Sequence, residues 1–131
     1  MIVGLGTDLA RVSRVRELTA RFGDRFVARV FTDAERKYCE RRREPFASLA
    51  ARFAAKEAVM KALAAGWGSG VRFKDIEVVL SEAGAPRIEL GGGARKRAEE
   101  LGIARLHISL AHEGDFALAQ AVAEGGQEES R

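Results

Sequence analysis

A stretch of strong helix formers near the middle of the chain constrains the fold more than any other part of the sequence. Residues 52–63 read Arg-Phe-Ala-Ala-Lys-Glu-Ala-Val-Met-Lys-Ala-Leu, without Gly or Pro, and this composition predicts a helix. At about 100° per residue, the large apolar side chains occupy one arc and four alanines occupy the opposite arc. Because no side of this helix is wholly polar, we expect it to be buried, with its alanine side packed closely on a neighbouring element.

Two charged residues, Glu57 and Lys61, lie four positions apart along one edge of this predicted helix. A buried ion without a partner is strongly destabilising, so Glu57 requires a cation, which is either Lys61 or a metal ion. The alternative is an ion pair on a solvated surface, which stabilises a helix by only about 0.2–0.5 kcal/mol. The absence of a polar side favours a functional site.

A second carboxylate, Asp8, ends a predicted strand at 2–8 that contains Gly4 and Gly6. Glycine within a strand indicates close backbone approach or a bulge. Asp8 either caps the following helix or offers a metal ligand. Mg²⁺ prefers oxygen ligands and commonly uses one or two protein carboxylates together with substrate phosphates. Asp8 and Glu57 fit that count, although their spacing alone does not bring them together.

The remaining patterns place helices first and strands later, which predicts an α+β fold. In the first half, Thr32 and Glu35 form a capping box. Helices are predicted at 11–22, 32–43 and 46–65, and a short helix that Asp24 can cap is predicted to contain Phe26, Val27 and Val30. In the second half, a helix is predicted at 94–101 and strands at 76–80, 86–90, 106–111 and 116–122. In the last strand we expect Phe116, Leu118 and Val122 to face inward. We interpret 1–124 as one domain and 125–131 as a disordered tail.

Composition excludes several classes of protein. The length of 131 residues suits one domain. No run of 18 apolar residues is present, which predicts no membrane span, and the N-terminal residues lack the pattern of a secretory signal. The single cysteine rules out an internal disulfide and a cysteine-built zinc site. These features predict a cytoplasmic protein.

The charge is unevenly distributed. The whole chain has a net charge of +3, whereas residues 11–43 hold 11 Arg or Lys against 5 Asp or Glu, a net +6. A segment of this kind suits an acidic partner, which is a nucleic acid, an anionic membrane or an acidic protein. The alternative is an ordinary solvated helical surface.

Four stretches together resemble the holo-acyl-carrier-protein synthases, which are the short-chain 4′-phosphopantetheinyl transferases. They are Phe-Ala-Ala-Lys-Glu-Ala at 53–58, Gly-Leu-Gly-Thr-Asp at 4–8, Thr-Asp-Ala-Glu at 32–35 and His-Ile-Ser-Leu-Ala-His-Glu at 107–113. The resemblance extends from residue 1 to about residue 123. It implies the 4′-phosphopantetheinyl transferase fold, a single domain with N-terminal helices packed on a mainly antiparallel sheet.

The resemblance also implies an activity, the Mg²⁺-dependent transfer of 4′-phosphopantetheine from coenzyme A to a serine of apo acyl carrier protein, with adenosine 3′,5′-bisphosphate as the other product. In this family Asp8, Glu57 and Lys61 would be catalytic, with Asp8 and Glu57 binding the metal. The implied coenzyme A-binding residues are Arg43, Arg52, Lys61, Gly66, Ser109 and His112. The implied carrier-protein contacts are Arg14, Arg25, Phe26 and Arg29. Homotrimers with sites between subunits are expected, in the cytoplasm and without nucleic acid or membrane as partners.

The sequence leaves some alternatives open. Glu57 is our candidate for the general base, and His112 is the second candidate. A noncatalytic module that docks carrier proteins would share the same surface, as would a basic nucleic-acid-binding domain, although the chain has only one Tyr and one Trp. Neither the carrier protein, of fatty-acid or polyketide synthesis, nor tolerance for acylated coenzyme A follows from the sequence.

Overall fold

Helices occupy most of the first half of the chain and strands most of the second half, as the α+β prediction requires. The computed structural model describes residues 1–66 and 68–126. The strands are β1 (Ile2–Arg11), β2 (Ile76–Leu80), β3 (Pro86–Leu90), β4 (Ile103–Glu113) and β5 (Phe116–Gly125). The helices are α1 (Val12–Phe22), α2 (Asp24–Val30), α3 (Asp33–Glu40), α4 (Pro45–Ala62) and α5 (Gly92–Glu100). One antiparallel sheet has the order β1-β5-β4, and β2 pairs with β3 in a second one.

Helix α4 lies directly on the sheet because only small residues separate the two backbones. Its alanines at 54, 55, 58 and 62 are buried, and β1 meets them with two glycines. A Cβ atom on Gly6 would lie 1.8 Å from the carbonyl oxygen of Ala58, and one on Gly4 would lie 2.0 Å from that of Ala62. The expected close approach at these glycines and on the alanine side of the helix is therefore confirmed.

This approach makes a stability prediction. We expect Gly6→Ala to lower the free energy of unfolding by more than about 2 kcal/mol, since the added methyl group meets backbone rather than a mobile side chain. Gly66→Ala is the matched control, because among the described residues no atom lies within 4 Å of the position that its new methyl group would take. Urea denaturation of both variants measures the difference. Equal midpoints would show that α4 does not lie this close to β1.

Strand β5 faces the opposite way from its prediction. Its alanines at 117, 119, 121 and 123 are buried, whereas Phe116 and Leu118 are exposed and Val122 is half-buried. The expectation that Phe116, Leu118 and Val122 face inward was wrong, because α4 lies too close to β5 for any inward side chain larger than alanine. The large side chains instead lie on the outer surface of the sheet.

That surface has an apolar patch, which we call the outer apolar face. It consists of Leu5, Leu9, Phe116, Leu118 and Val122, and the antiparallel register sets Leu5 opposite Val122 and Leu9 opposite Leu118. Leu5 is 68% exposed and Leu9 58%. Contiguous exposed apolar surface of this kind marks an interaction site in most proteins.

The last strand continues further than the sequence predicts. Gly125 ends β5, and the amide of Gly126 donates to the carbonyl of Gly102, so the predicted tail starts too early at 125. Residues 127–131 of that tail lie outside the described residues.

In the first half of the chain, the capping box of Thr32 and Glu35 at the start of α3 is confirmed. In the described part of the chain, no helix has both the length and the apolar character needed to cross a membrane.

Candidate active site

Strand β1 and helix α4 bring the two predicted metal ligands together. Asp8 lies opposite the buried Ala119 in the sheet register, so its side chain is on the side that faces α4. Glu57 projects from the adjoining edge of α4, within hydrogen-bonding reach of Asp8. The contact between these carboxyl groups is a consequence of the glycine-on-alanine packing described above.

Burial is the largest effect on the ionisation of Glu57. Together with the hydrogen bond and the negative charge of Asp8, it raises the pKa of Glu57 to about 7, while the charge of Lys61 acts in the opposite direction. Near neutral pH, Glu57 therefore lies close to its midpoint and can accept or release a proton. A group poised in this way suits general acid–base chemistry.

This predicts an observable titration in the metal-free protein. A carbon-detected NMR titration should give Glu57 a midpoint near pH 7, and Asp8→Asn should lower it because the neighbouring charge is gone. Between about pH 4.5 and 7 the folded state holds this proton and the unfolded state does not. Consequently, the contribution of Glu57 to stability declines as the pH rises through that window. An ordinary carboxyl midpoint in the wild type would contradict the assigned contact.

Lys61 joins the same site through Asp8. Its ammonium group donates to Asp8 Oδ1 at 3.1 Å and to the carbonyl of Thr7 at 2.9 Å, and its side chain is 56% exposed. The sequence offered Lys61 as the partner of Glu57, whereas both of these bonds go to β1. The two carboxyl groups and the ammonium group form one cluster at the protein surface.

The cluster lies between two openings. The larger one, the main groove, has a volume of about 980 Å³ and is lined by Arg29, Glu57, Met60, Lys61, Ala65, Gly66, Gly68, Ser69, Val71, Arg72, Phe73 and Lys74. The smaller one, the side cleft, has a volume of about 240 Å³ and includes Asp8, Arg14, Phe53 and Glu57. Glu57 lines both openings. A ligand in the main groove and a second ligand in the side cleft would therefore both contact this carboxyl group.

Two of the four predicted carrier-protein contacts line these openings. Arg14 lines the side cleft and Arg29 lines the main groove, while Arg25 is exposed on α2. Phe26 is half-buried, with its ring centroid 6.3 Å from that of Phe53. Within the described residues, no acidic side chain forms an ion pair with any of the three arginines, so their charge is available to a partner.

Two predicted coenzyme A-binding residues, Arg43 and Arg52, lie away from the carboxyl pair. Arg52 is buried, donates to Ser48 Oγ at 2.7 Å and stacks over Tyr38 at 4.4 Å. Arg43 is exposed in the loop before α4. Along the helix axis, Arg52 lies about 7.5 Å before Glu57, and its guanidinium group bonds to Ser48, one turn further from Glu57. The structure of one chain therefore does not bring these arginines to the carboxyl groups.

The predicted residues of β4 are also separated from the cluster. Ser109 pairs with Gln120 and is exposed on the outer side of the sheet, whereas His112 pairs with Ala117 near the end of β4 and is exposed. Because β5 lies between β4 and β1, Ser109 and His112 are two strand spacings away from Asp8, a total of about 10 Å. In a single chain, neither reaches the carboxyl pair.

The wall of the main groove that residues 71–74 form was missed by the sequence interpretation. Its basic side chains are Arg72 and Lys74, on either side of Phe73. Phe73 and Lys74 belong to a 3₁₀ turn (Phe73–Asp75), and Arg72 immediately precedes it. The alternation of basic and aromatic residues was the available signal for an anionic ligand. No cluster of three or more His, Cys, Asp or Glu side chains suited to a metal occurs in the described residues, so Asp8 and Glu57 stand as a pair.

Comparisons with known proteins identify relatives along nearly the whole chain. The model of the 4′-phosphopantetheinyl transferase superfamily matches residues 4–121. A holo-[acyl-carrier-protein] synthase of Solibacter usitatus is 44% identical over 95% of this chain and 99% of its own length. The crystal structure of holo-[acyl-carrier-protein] synthase from Neisseria meningitidis has a TM-score of 0.87 and 38% identity, covering 95% of this chain and 99% of that one. The Helicobacter pylori enzyme in complex with coenzyme A has a TM-score of 0.81 and 31% identity, with 92% and 99% covered.

Proposed function

The chain belongs to the 4′-phosphopantetheinyl transferase superfamily, and within it to the holo-[acyl-carrier-protein] synthases, and on this premise we propose that it transfers 4′-phosphopantetheine from coenzyme A to a serine of apo acyl carrier protein. The products are holo acyl carrier protein and adenosine 3′,5′-bisphosphate. The observation that best supports this reaction is the cluster of Asp8, Glu57 and Lys61 between two openings. One opening suits the nucleotide donor and the other suits the acceptor serine.

The residues present fit a divalent cation. Asp8 and Glu57 offer only oxygen atoms. Burial, and after it the neighbouring Asp8, raises the pKa of Glu57, and a bound cation relieves the repulsion between two such carboxylates. Two carboxylates with remaining positions for water and phosphate match the preference of Mg²⁺. When bound, Mg²⁺ would supply positive charge that offsets the charge of the reacting phosphates.

The chain's own groups account for the proton and for part of the charge. The serine hydroxyl attacks the phosphorus that bears pantetheine, Glu57 accepts the hydroxyl proton, and the bond from that phosphorus to the bridging oxygen breaks. The electron pair leaves with adenosine 3′,5′-bisphosphate. Lys61, close to Asp8 and largely exposed, is placed to offset charge that grows on the phosphate oxygens. His112 remains the second candidate for the base.

Coenzyme A lies in the main groove in this proposal, with Lys61 and Gly66 along its floor. Arg43 and Arg52, which do not line this groove within one chain, would bind its phosphates in the assembled trimer. Ser109 and His112 would line the nucleotide from a neighbouring subunit, which accounts for their separation from the cluster within one chain. Arg14, Arg25, Phe26 and Arg29 form the surface that receives the acidic carrier protein.

The assembly proposed here is a homotrimer that buries the outer apolar face. Leu9→Glu should break it, because a charge would then lie in a desolvated interface, and light scattering after size exclusion should report the mass of a monomer. Phe22→Glu is the control, since Phe22 is 47% exposed on α1 and is not part of that face. An unchanged trimer mass for Leu9→Glu would contradict burial of the outer apolar face, and a wild-type monomer would contradict the trimer.

One experiment separates the transferase from its two alternatives. Consumption of coenzyme A and release of adenosine 3′,5′-bisphosphate, followed by chromatography, should require both Mg²⁺ and apo carrier protein. A noncatalytic docking module would bind carrier protein without consuming coenzyme A. A nucleic-acid-binding domain would instead be retained on a nucleic-acid column and released uniformly by salt.

The cytoplasmic location of the protein stays a prediction.

A further inference from the structure

A buried ion pair lies directly beside the catalytic cluster and takes no part in the chemistry described above. Lys56 precedes Glu57 in α4, but successive helical residues point about 100° apart, so Lys56 projects towards α3 and β2 instead of into the groove. Its ammonium group lies 2.7 Å from Glu35 Oε1, and both side chains are 0% exposed. Because the desolvation of such a pair can exceed its Coulombic gain, stability alone does not account for it.

The other bonds of Lys56 go to the backbone of one segment. Its ammonium group donates to the carbonyl of Phe73 at 3.1 Å and to the carbonyl of Ile76. These two residues bracket the 3₁₀ turn (Phe73–Asp75). With Glu35 as the third acceptor, all three donors of the ammonium group are used, and two of them hold the turn at its two ends.

Glu35 fixes the other side of the same junction. Its Oε1 also accepts from the amide of Thr32 at 2.9 Å, and its Oε2 accepts from the amide of Val78 at 2.9 Å. Thus α3, α4 and the beginning of β2 meet at one buried carboxylate. A polar network whose members are all satisfied specifies a single arrangement of the elements that it joins.

The segment held in this way forms one wall of the main groove. Residues 71–74 line the groove together with Glu57 and Lys61. The ring of Phe73 stacks on that of Phe53 at 5.6 Å, one helical turn before Glu57. The width of the groove is therefore set by the distance between α4 and a turn whose backbone is fixed to α4 by Lys56.

We propose that Lys56 and Glu35 are positioning residues, which hold the wall at 71–74 at the separation from α4 that coenzyme A requires. This inference rests on the proposed function, because it assigns coenzyme A to the main groove. The pair contributes preorganisation: the wall is set before the ligand arrives, so the binding energy is not spent on ordering it. A purely structural pair would support the fold without any selective effect on coenzyme A.

The test removes both charges at once. A single replacement leaves one buried charge unpaired and endangers the fold, whereas Lys56→Met combined with Glu35→Gln leaves no buried ion and keeps an acceptor for the capping box. Calorimetry should show that the dissociation constant for coenzyme A rises at least tenfold. The KM for coenzyme A should rise with it, while kcat and the KM for carrier protein change by less than about threefold.

A stability-matched variant separates positioning from general loosening of the fold. Leu106→Ala removes a side chain of β4 that packs on the core and that no proposed contact uses, and it should lower the melting temperature without weakening coenzyme A binding. The proposal is overturned if the double variant binds coenzyme A within twofold of the wild type, or if Leu106→Ala weakens binding equally. A wild-type protein that binds no coenzyme A would instead refute the proposed function.

A second measurement needs no variant. In hydrogen exchange of the free wild-type protein, the amide of Asp75, which donates to the carbonyl of Arg72, and that of Val78 should already exchange slowly. Coenzyme A should change their rates little. Fast exchange at both amides in the free protein, with protection only after coenzyme A is added, would show that the pair does not preorganise the wall.

Discussion

Glu57→Gln is expected to lower kcat for phosphopantetheine transfer by about 10³-fold or more while the protein remains folded. The amide keeps the shape of the side chain but can neither accept the serine proton nor contribute a charged ligand to Mg²⁺, and general base catalysis alone accounts for about 10²–10⁴-fold. Because the amide also removes repulsion with Asp8, the melting temperature above pH 7 should not fall. Asp8→Ala should cause a loss of similar size.

The matched control for this pair of variants is Glu82→Gln, which changes the same chemical group in the exposed turn before β3. Its kcat and KM values should equal those of the wild type. The measurement is the initial rate of carrier-protein modification at saturating coenzyme A and Mg²⁺. Substantial turnover by Glu57→Gln under those conditions would refute the role given to Glu57.

Arg25→Glu is expected to raise the KM for carrier protein about tenfold or more at low salt, while the KM for coenzyme A changes by less than about twofold. Arg25 is exposed on α2 and lies outside both openings, so its reversal acts on the protein partner alone. Charge pairing of this kind governs encounter and selectivity. The defect should shrink as salt is added, because the Debye length is only about 8 Å at 0.15 M.

Two further reversals define the docking surface. Arg29→Glu should raise both KM values, because Arg29 also lines the main groove. Arg87→Glu, on the exposed side of β3, carries the same change of charge and should alter neither. If Arg25→Glu and Arg14→Glu both leave the carrier KM unchanged, the basic segment at 11–43 is a solvated surface and carrier docking lies elsewhere.

The helix of the site and its close packing were predictable because they depend on local composition. Glycines in β1 and alanines in α4 each indicated close approach, and the structure joins the two at Gly6 and Ala58. The meeting of Asp8 with Glu57 was not predictable from spacing, since 48 residues of intervening chain decide it. Family resemblance supplied that link before the geometry did.

Other features depend on tertiary distances that no periodicity contains. The phase of β5 was wrong because alternation does not say which face is inward when α4 permits only alanine there. The bonds between Lys56 and the wall of the groove could not be predicted either, because the sequence does not show whether a charged residue of a helix is hydrogen-bonded to water or to a buried carboxylate. The separation of Ser109 from the cluster is likewise a property of strand order.

Mass spectrometry of intact carrier protein is the decisive test of the proposed reaction. Apo acyl carrier protein incubated with this protein, coenzyme A and Mg²⁺ should gain the mass of one 4′-phosphopantetheine group, and a carrier with its acceptor serine replaced by alanine should gain nothing. The gain should disappear when Mg²⁺ is chelated and when Glu57→Gln replaces the wild type. An unmodified carrier protein after incubation with the folded wild-type protein, coenzyme A and Mg²⁺ would contradict the transferase function.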